Sequence, residues 1–192
     1  MVHEVVCLYF DEPGPGNSEV ILKAAIQRAQ ALGIGYLVVA STEGPTGTLA
    51  AKMVAELGYS GRLVVVTHQC GSKEPGVRRM PVEVQRQLEA QGAVVVMATH
   101  VLSSASRAFR EKYGGIDILE VVADALRRFS AGVKVGVECV MMAADAAAIP
   151  VDQDVVAVGG TSRGADTAIV VRPANAQRFF DVKVREIIGM PR

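Results

Sequence analysis

Short apolar runs alternate with longer stretches whose apolar residues recur at helical spacing. Val5 to Phe10 reads as a strand and ends in the polar turn Asp11-Glu12-Pro13-Gly14-Pro15-Gly16-Asn17. Asn17 or Ser18 is placed to cap a helix. Glu19 favours the positive end of its dipole, and Leu22, Ala25, Ile26 and Ala29 share one face before Gly33 stops it. Tyr36 to Ala40 is a buried type of strand, followed by a helix from about Gly47 to Leu57. Arg62 to Thr67 and Ala93 to Ala98 are further strands, separated by a helix from Pro81 to Gln91 that uses proline at its first turn. Helices are expected over 117–129 and 133–148. The second opens with the alternation Val133, Val135, Val137, but its length and the spacing of Val137, Val140, Met141 and Ala144 favour a helix. Val155 to Val158 is a strand, Ile169 to Val171 a further apolar run, and the tail 179–188 holds a last edge strand.

Strands alternating with helices imply a mostly parallel sheet covered on both faces. Ligands of such sheets bind at the carboxyl ends of the strands. Four polar loops follow strands, at 41–48, 67–71, 99–104 and 159–167, so their hydroxyls and glycines converge on one rim. The segment 155–168 runs from an apolar strand into Gly159, Gly160, Thr161, Ser162, Arg163, Gly164, Ala165, Asp166 and Thr167. Its hydroxyls and arginine are anion-binding groups, and glycine lets backbone approach a ligand closely. Ser41, Thr42, Gly44, Thr46, Gly47 and Thr48 place hydroxyls and amides at a helix N-terminus, a natural phosphate cradle. The cradle has no Walker-type lysine, which argues against that kind of ATP hydrolysis. We expect the phosphate anchor at Thr46 to Thr48 and an opposing wall formed by Thr161, Arg163 and Asp166. Thr67-His68 and Thr99-His100 both follow strands and are candidate ligand contacts. Gly14-x-Gly16 lacks the third glycine of a dinucleotide fingerprint, with Glu19 in its place.

Composition narrows the classes. The chain has 192 residues, half of them hydrophobic, which suits one domain spanning 1–192. Its formal net charge is zero and it has no basic run, so a nucleic-acid partner is not expected. No stretch approaches the roughly 18 apolar residues of a membrane span, and the N-terminus lacks the pattern of a signal peptide. Three widely spaced cysteines define neither a disulfide framework nor a zinc site, which fits a cytoplasmic protein.

The segment Val39-Ala40-Ser41-Thr42-x-Gly44-x-Thr46 resembles the carboxyl-terminal α/β domain of pyruvate kinase. There a similar Thr/Gly loop binds the phosphate of an allosteric effector, and a second loop, which 159–167 is similar to, closes over it. The resemblance is closer still to a family of small stand-alone prokaryotic proteins with that fold. It rests on Gly159-Gly160-Thr161-x-Arg163-Gly164-Ala165-Asp166-Thr167-Ala168 and on Phe179-Phe180-Asp181 with Arg185-Glu186-Ile187-Ile188. It implies a three-layer α/β/α fold with a mixed, mostly parallel sheet of about five strands. It also implies a small phosphorylated ligand, with flavin mononucleotide (FMN) as the cofactor, and no pyruvate kinase activity, since the catalytic barrel is missing. The alternative role is a non-enzymatic sensor of a phosphorylated metabolite. The Phe-Phe-Asp tail is expected to pack or to make subunit contacts in a homo-oligomer.

Overall fold

Valine-rich runs too short for helices build the sheet at the centre of the fold. The computed structural model describes Val2 and residues 4–192. The strands are β1 (Leu8–Phe10), β2 (Tyr36–Ala40), β3 (Arg62–Thr67), β4 (Val94–Met97), β5 (Val155–Gly159), β6 (Thr167–Arg172) and β7 (Lys183–Pro191). They form one sheet in the order β1-β7-β6-β5-β2-β3-β4. β5, β2, β3 and β4 are parallel neighbours, as are β1 and β7, while β6 runs antiparallel to both of its neighbours. Every residue of β5 is buried, as a strand covered on both faces requires.

The helices are α1 (Ser18–Leu32), α2 (Pro45–Glu56), α3 (Val82–Ala90), α4 (Ala105–Tyr113), α5 (Ile118–Arg127) and α6 (Ala131–Asp145). Helices α1, α2 and α3 cover one face through Ile21, Leu22, Ile26, Ala50 and Leu88, packed on Leu37, Val39, Val65, Val156 and Val158. Helix α6 covers the other through Val133, Val137, Val140 and Met141, packed on Val38, Val64, Ala157 and Ile169. Each fully buried valine, leucine, isoleucine or methionine among them contributes about 1.5–3 kcal/mol. Gly33 ends α1 in the left-handed region at φ 64°, and the Ile34 amide bonds back to Ala29. Ser130 caps α6 by accepting from the Val133 amide, which settles the ambiguous valine alternation as helix.

The sheet has seven strands rather than about five, and the tail strand β7 is not an edge. It is inserted between β6 and the three-residue β1, which forms the edge. The chain runs from β2 outward through β3 to β4 and then returns to place β5 on the other side of β2. The switch point of the sheet therefore lies between the carboxyl ends of β2 and β5, where a crevice is expected. No helix among the described residues is long and apolar enough to cross a membrane.

Candidate functional site

Ser41 follows β2 and its Oγ accepts the Gly47 amide at 3.0 Å, closing the turn into α2. Pro45 opens the helix with no amide to give, and the Thr48 amide already bonds Gly44 O at 2.9 Å. Among the described residues, the Thr46 amide at this positive helix end donates to no protein acceptor. The Thr67 hydroxyl donates to Thr42 O at 2.7 Å and ties the end of β3 to the same turn. Thr48 turns its hydroxyl back onto Gly44 O at 3.2 Å.

The loop after β5 is held from behind. Asp166 is fully buried and accepts the Gly14 amide at 3.0 Å, the Thr161 amide at 3.1 Å and the Thr167 hydroxyl at 2.9 Å. Ser18 in the first turn of α1 accepts the Ala165 amide at 2.9 Å and donates to the Ala165 carbonyl at 3.2 Å. Gly164 sits at φ 74°, where a Cβ would lie 2.4 Å from Pro15 Cα, so only glycine lets the loop pack this closely. Ser162 also adopts a positive φ of 62°, and the loop tip with Ser162 and Arg163 is exposed.

Between these two loops lies a cleft of about 780 Å³, well within the size range of small-molecule sites. Its walls include Ala40, Leu49, Val66, Val135 and Cys139. Four cations line it: Arg79, Arg107, Lys134 and Arg163. The only carboxylates on its walls are Glu43 and Glu138, and each is already occupied, Glu43 by Arg79 at 2.6 Å and Glu138 by Lys134. Among the described residues Arg107 and Arg163 make no ion pair, which leaves two uncompensated positive charges in a chain of zero net charge. The hydrogen bond and charge of Arg79 hold the exposed Glu43 carboxyl below its usual range.

A chain of buried and half-buried polar groups crosses the cleft floor. Lys134 and Glu138 stand four residues apart on α6, with side chains 9 and 4% exposed. Glu138 Oε1 accepts the Leu102 amide at 2.9 Å, and Oε2 lies 3.2 Å from His100 Nδ1. His100 Nε2 is 3.1 Å from His68 Nδ1. Burial pushes the Glu138 carboxyl up, but the His100 hydrogen bond and the Lys134 ammonium outweigh it and bring it down to about 2. Burial lowers His68 to about 4, aided by His100, Arg79 and Lys134. Gln69 fixes this corner by accepting the Ser104 hydroxyl at 2.6 Å and the His100 amide at 3.2 Å. Burial raises the Cys139 thiol to about 12, which leaves it an inert wall of the cleft.

Of the residues singled out from sequence, Ser41, Thr42, Thr46, Thr67, His68, His100, Gly160, Arg163 and Gly164 line this one cleft. The others do not. Gly44 and Gly47 shape the α2 turn, the exposed Thr48 spends its hydroxyl on Gly44 O, and Thr99 is exposed outside the cleft. Gly159 abuts α6, and Ala165, Asp166 and Thr167 are buried behind the loop, with Thr161 offering its amide to Asp166. Asp166 therefore holds the wall rather than facing a ligand. Lys134 and Glu138 escaped the sequence reading. Their signal was two opposite charges four residues apart in the otherwise apolar run from Gly132 to Ala144. Among the described residues, no group of three or more His, Cys, Asp or Glu side chains is arranged to hold a metal ion.

A family model described as the alpha/beta domain of pyruvate kinase matches residues 19–171 of the 192. The match runs from α1 into β6 and takes in both loops of the cleft together with Lys134 and Glu138. It spans the five strands β2 to β6, whereas β1 and β7 fall outside it, which accounts for the two additional strands.

Proposed function

Since the chain belongs to the pyruvate kinase alpha/beta domain family, we propose that its cleft binds a small molecule through a phosphate group, with FMN as the first such ligand. The observation that carries this reading is the charge of the cleft. Its two carboxylates are consumed by ion pairs, and Arg107 and Arg163 are left to attract an anion. The phosphate fits the α2 end of the cleft, where the free Thr46 amide and the Thr42 side chain stand across from Ser162 and Arg163.

The remainder of the cleft suits a flat, partly apolar group. Ala40, Leu49, Val66 and Val135 supply the apolar wall, and among the described residues the aromatic rings lining the space are those of His68 and His100. Bound flavin would supply one- or two-electron redox chemistry. This chain's own part is to hold the phosphate arm, exclude water from the apolar wall and present the histidine pair.

Absorbance of the purified protein in the flavin bands, followed by titration of stripped protein with FMN and with riboflavin, tests the reading. FMN is expected to bind at least tenfold tighter than riboflavin, which lacks the phosphate. A colourless protein that takes up no FMN overturns the flavin assignment, and equal binding of the two flavins overturns phosphate recognition.

A further inference from the structure

The polar chain on the cleft floor has a direction. Glu138 is fixed by the Leu102 amide on Oε1 and the Lys134 ammonium on Oε2, and Oε2, with a second acceptor site, also accepts from Nδ1–H of His100. With its proton on Nδ1, neutral His100 offers a bare Nε2, and the contact at 3.1 Å then calls for a proton on Nδ1 of His68. That leaves Nε2 of His68 bare. No protein partner is recorded for it among the described residues, and His68 lines the cleft. A carboxylate that fixes an imidazole tautomer so that its far nitrogen acts as a base is the logic of a catalytic triad, extended here by one ring.

We propose that Glu138, His100 and His68 form a proton relay whose outer end, Nε2 of His68, is the catalytic base of the cleft and takes the proton of a hydroxyl on the phosphate-bearing ligand. The identity of the ligand class rests on the phosphate reading above. The step is the proton transfer alone. The ligand O–H bond breaks with its electron pair left on oxygen, and the proton bonds to Nε2 of His68. Nδ1 of His68 passes its own proton to Nε2 of His100, whose Nδ1–H draws closer to Glu138. His100, Glu138 and Lys134 are positioning residues.

The groups facing His68 also explain why the base would wait for an anion. His100 comes from the loop after β4, Arg79 from the loop before α3, and Lys134 and Glu138 from α6. Burial first, then His100 and the two fixed cations, oppose a proton on His68 in the ligand-free cleft. A phosphate bound at the α2 end of the cleft brings negative charge that offsets these cations and raises the basicity of His68 when the ligand is present.

The test uses the full ligand-free chain, which has only three histidines. Long-range 1H–15N NMR at neutral pH reads each tautomer. The relay requires both His68 and His100 to carry the proton on Nδ1, and a proton on Nε2 of His68 overturns it. Glu138→Gln removes the charge that fixes the tautomers and is expected to shift His68 toward its Nε2–H form. An unchanged His68 in the folded variant overturns the relay. If that variant does not fold, the wild-type tautomers still decide. Diethyl pyrocarbonate, which acylates bare imidazole nitrogen, should modify His68 at least tenfold faster in the wild type than in Glu138→Gln, and equal rates overturn the proposal. FMN at saturation should slow that acylation at least tenfold. FMN that binds without slowing it removes His68 from the site. Failure of FMN to bind, with the tautomers as required, rejects the ligand assignment while the base stands.

Discussion

Asp166 sits in a glycine loop of ligand-binding appearance, yet its carboxylate turns away from the cleft and collects three donors, one from the Gly14 turn and two from its own loop. Removing it leaves the Gly14 amide, at its buried contact, without an acceptor. Asp166→Ala is expected to lower stability by about 3 kcal/mol, the scale of losing hydrogen bonds to a buried charge, measured by urea unfolding. A change within experimental scatter would mean that the loop does not depend on this carboxylate. Arg163, on the exposed face of the same loop, behaves in the opposite way. It makes no ion pair among the described residues, so Arg163→Ala should leave stability unchanged and weaken FMN binding about tenfold, on the order of 1.4 kcal/mol. Thr48→Ala should leave FMN affinity unchanged, because that hydroxyl is spent on Gly44 O. Fluorescence titration separates the two, and a Thr48 effect as large as that of Arg163 would place the anchor deeper in the helix than the geometry does.

At the scale of elements, α6 shows what a linear pattern reveals and what it hides. Its apolar spacing, the strands β2 to β5 and the convergence of four polar loops were all readable, because periodicity and strand-end chemistry are local properties. The close seat of α6 on the sheet was not. It depends on Gly132, Gly136 and Gly159, and a Cβ at Gly159 would meet the Gly132 carbonyl at 2.5 Å and the Gly136 amide at 3.1 Å. What looks like a ligand-loop glycine is a contact between a strand and a helix backbone. Glu138 was hidden for the same reason, since it meets His100 across 38 residues of sequence and His100 meets His68 across 32. The order of the outer strands also depends on a distant pairing, with Leu8 beside Gly189. Gly159→Ala forces helix backbone to move, so a loss of about 2 kcal/mol is expected, while Gly16→Ala, with nothing within 4 Å of the new methyl, serves as the neutral control. Equal urea midpoints for the two variants would show that α6 shifts without cost.

For the whole molecule, the buried relay makes folding sensitive to acid, with the sign set by two groups. Folded His68 titrates at about 4 against an ordinary value of 6.5, so between those values the unfolded chain binds a proton that the native state refuses. Stability therefore falls as pH drops from about 6.5 toward 4. Folded Glu138 titrates at about 2 against an ordinary value of 4.5, so its contribution is complete above 4.5 and is lost as pH falls toward 2. The two windows adjoin, and the loss of stability should begin near pH 6.5 and continue without a plateau. The groups facing the pair are His100 between them, Lys134 on α6, Arg79 from the loop before α3 and the Leu102 amide. Urea midpoints at several pH values between 7 and 3 measure the loss. His68→Gln has no imidazole to protonate and should flatten the upper window while leaving the fall below pH 4.5 in place. If His68→Gln loses stability between pH 6.5 and 4 as steeply as the wild type, the half-buried neutral imidazole is not what sets the upper window, and the acid sensitivity lies elsewhere in the fold.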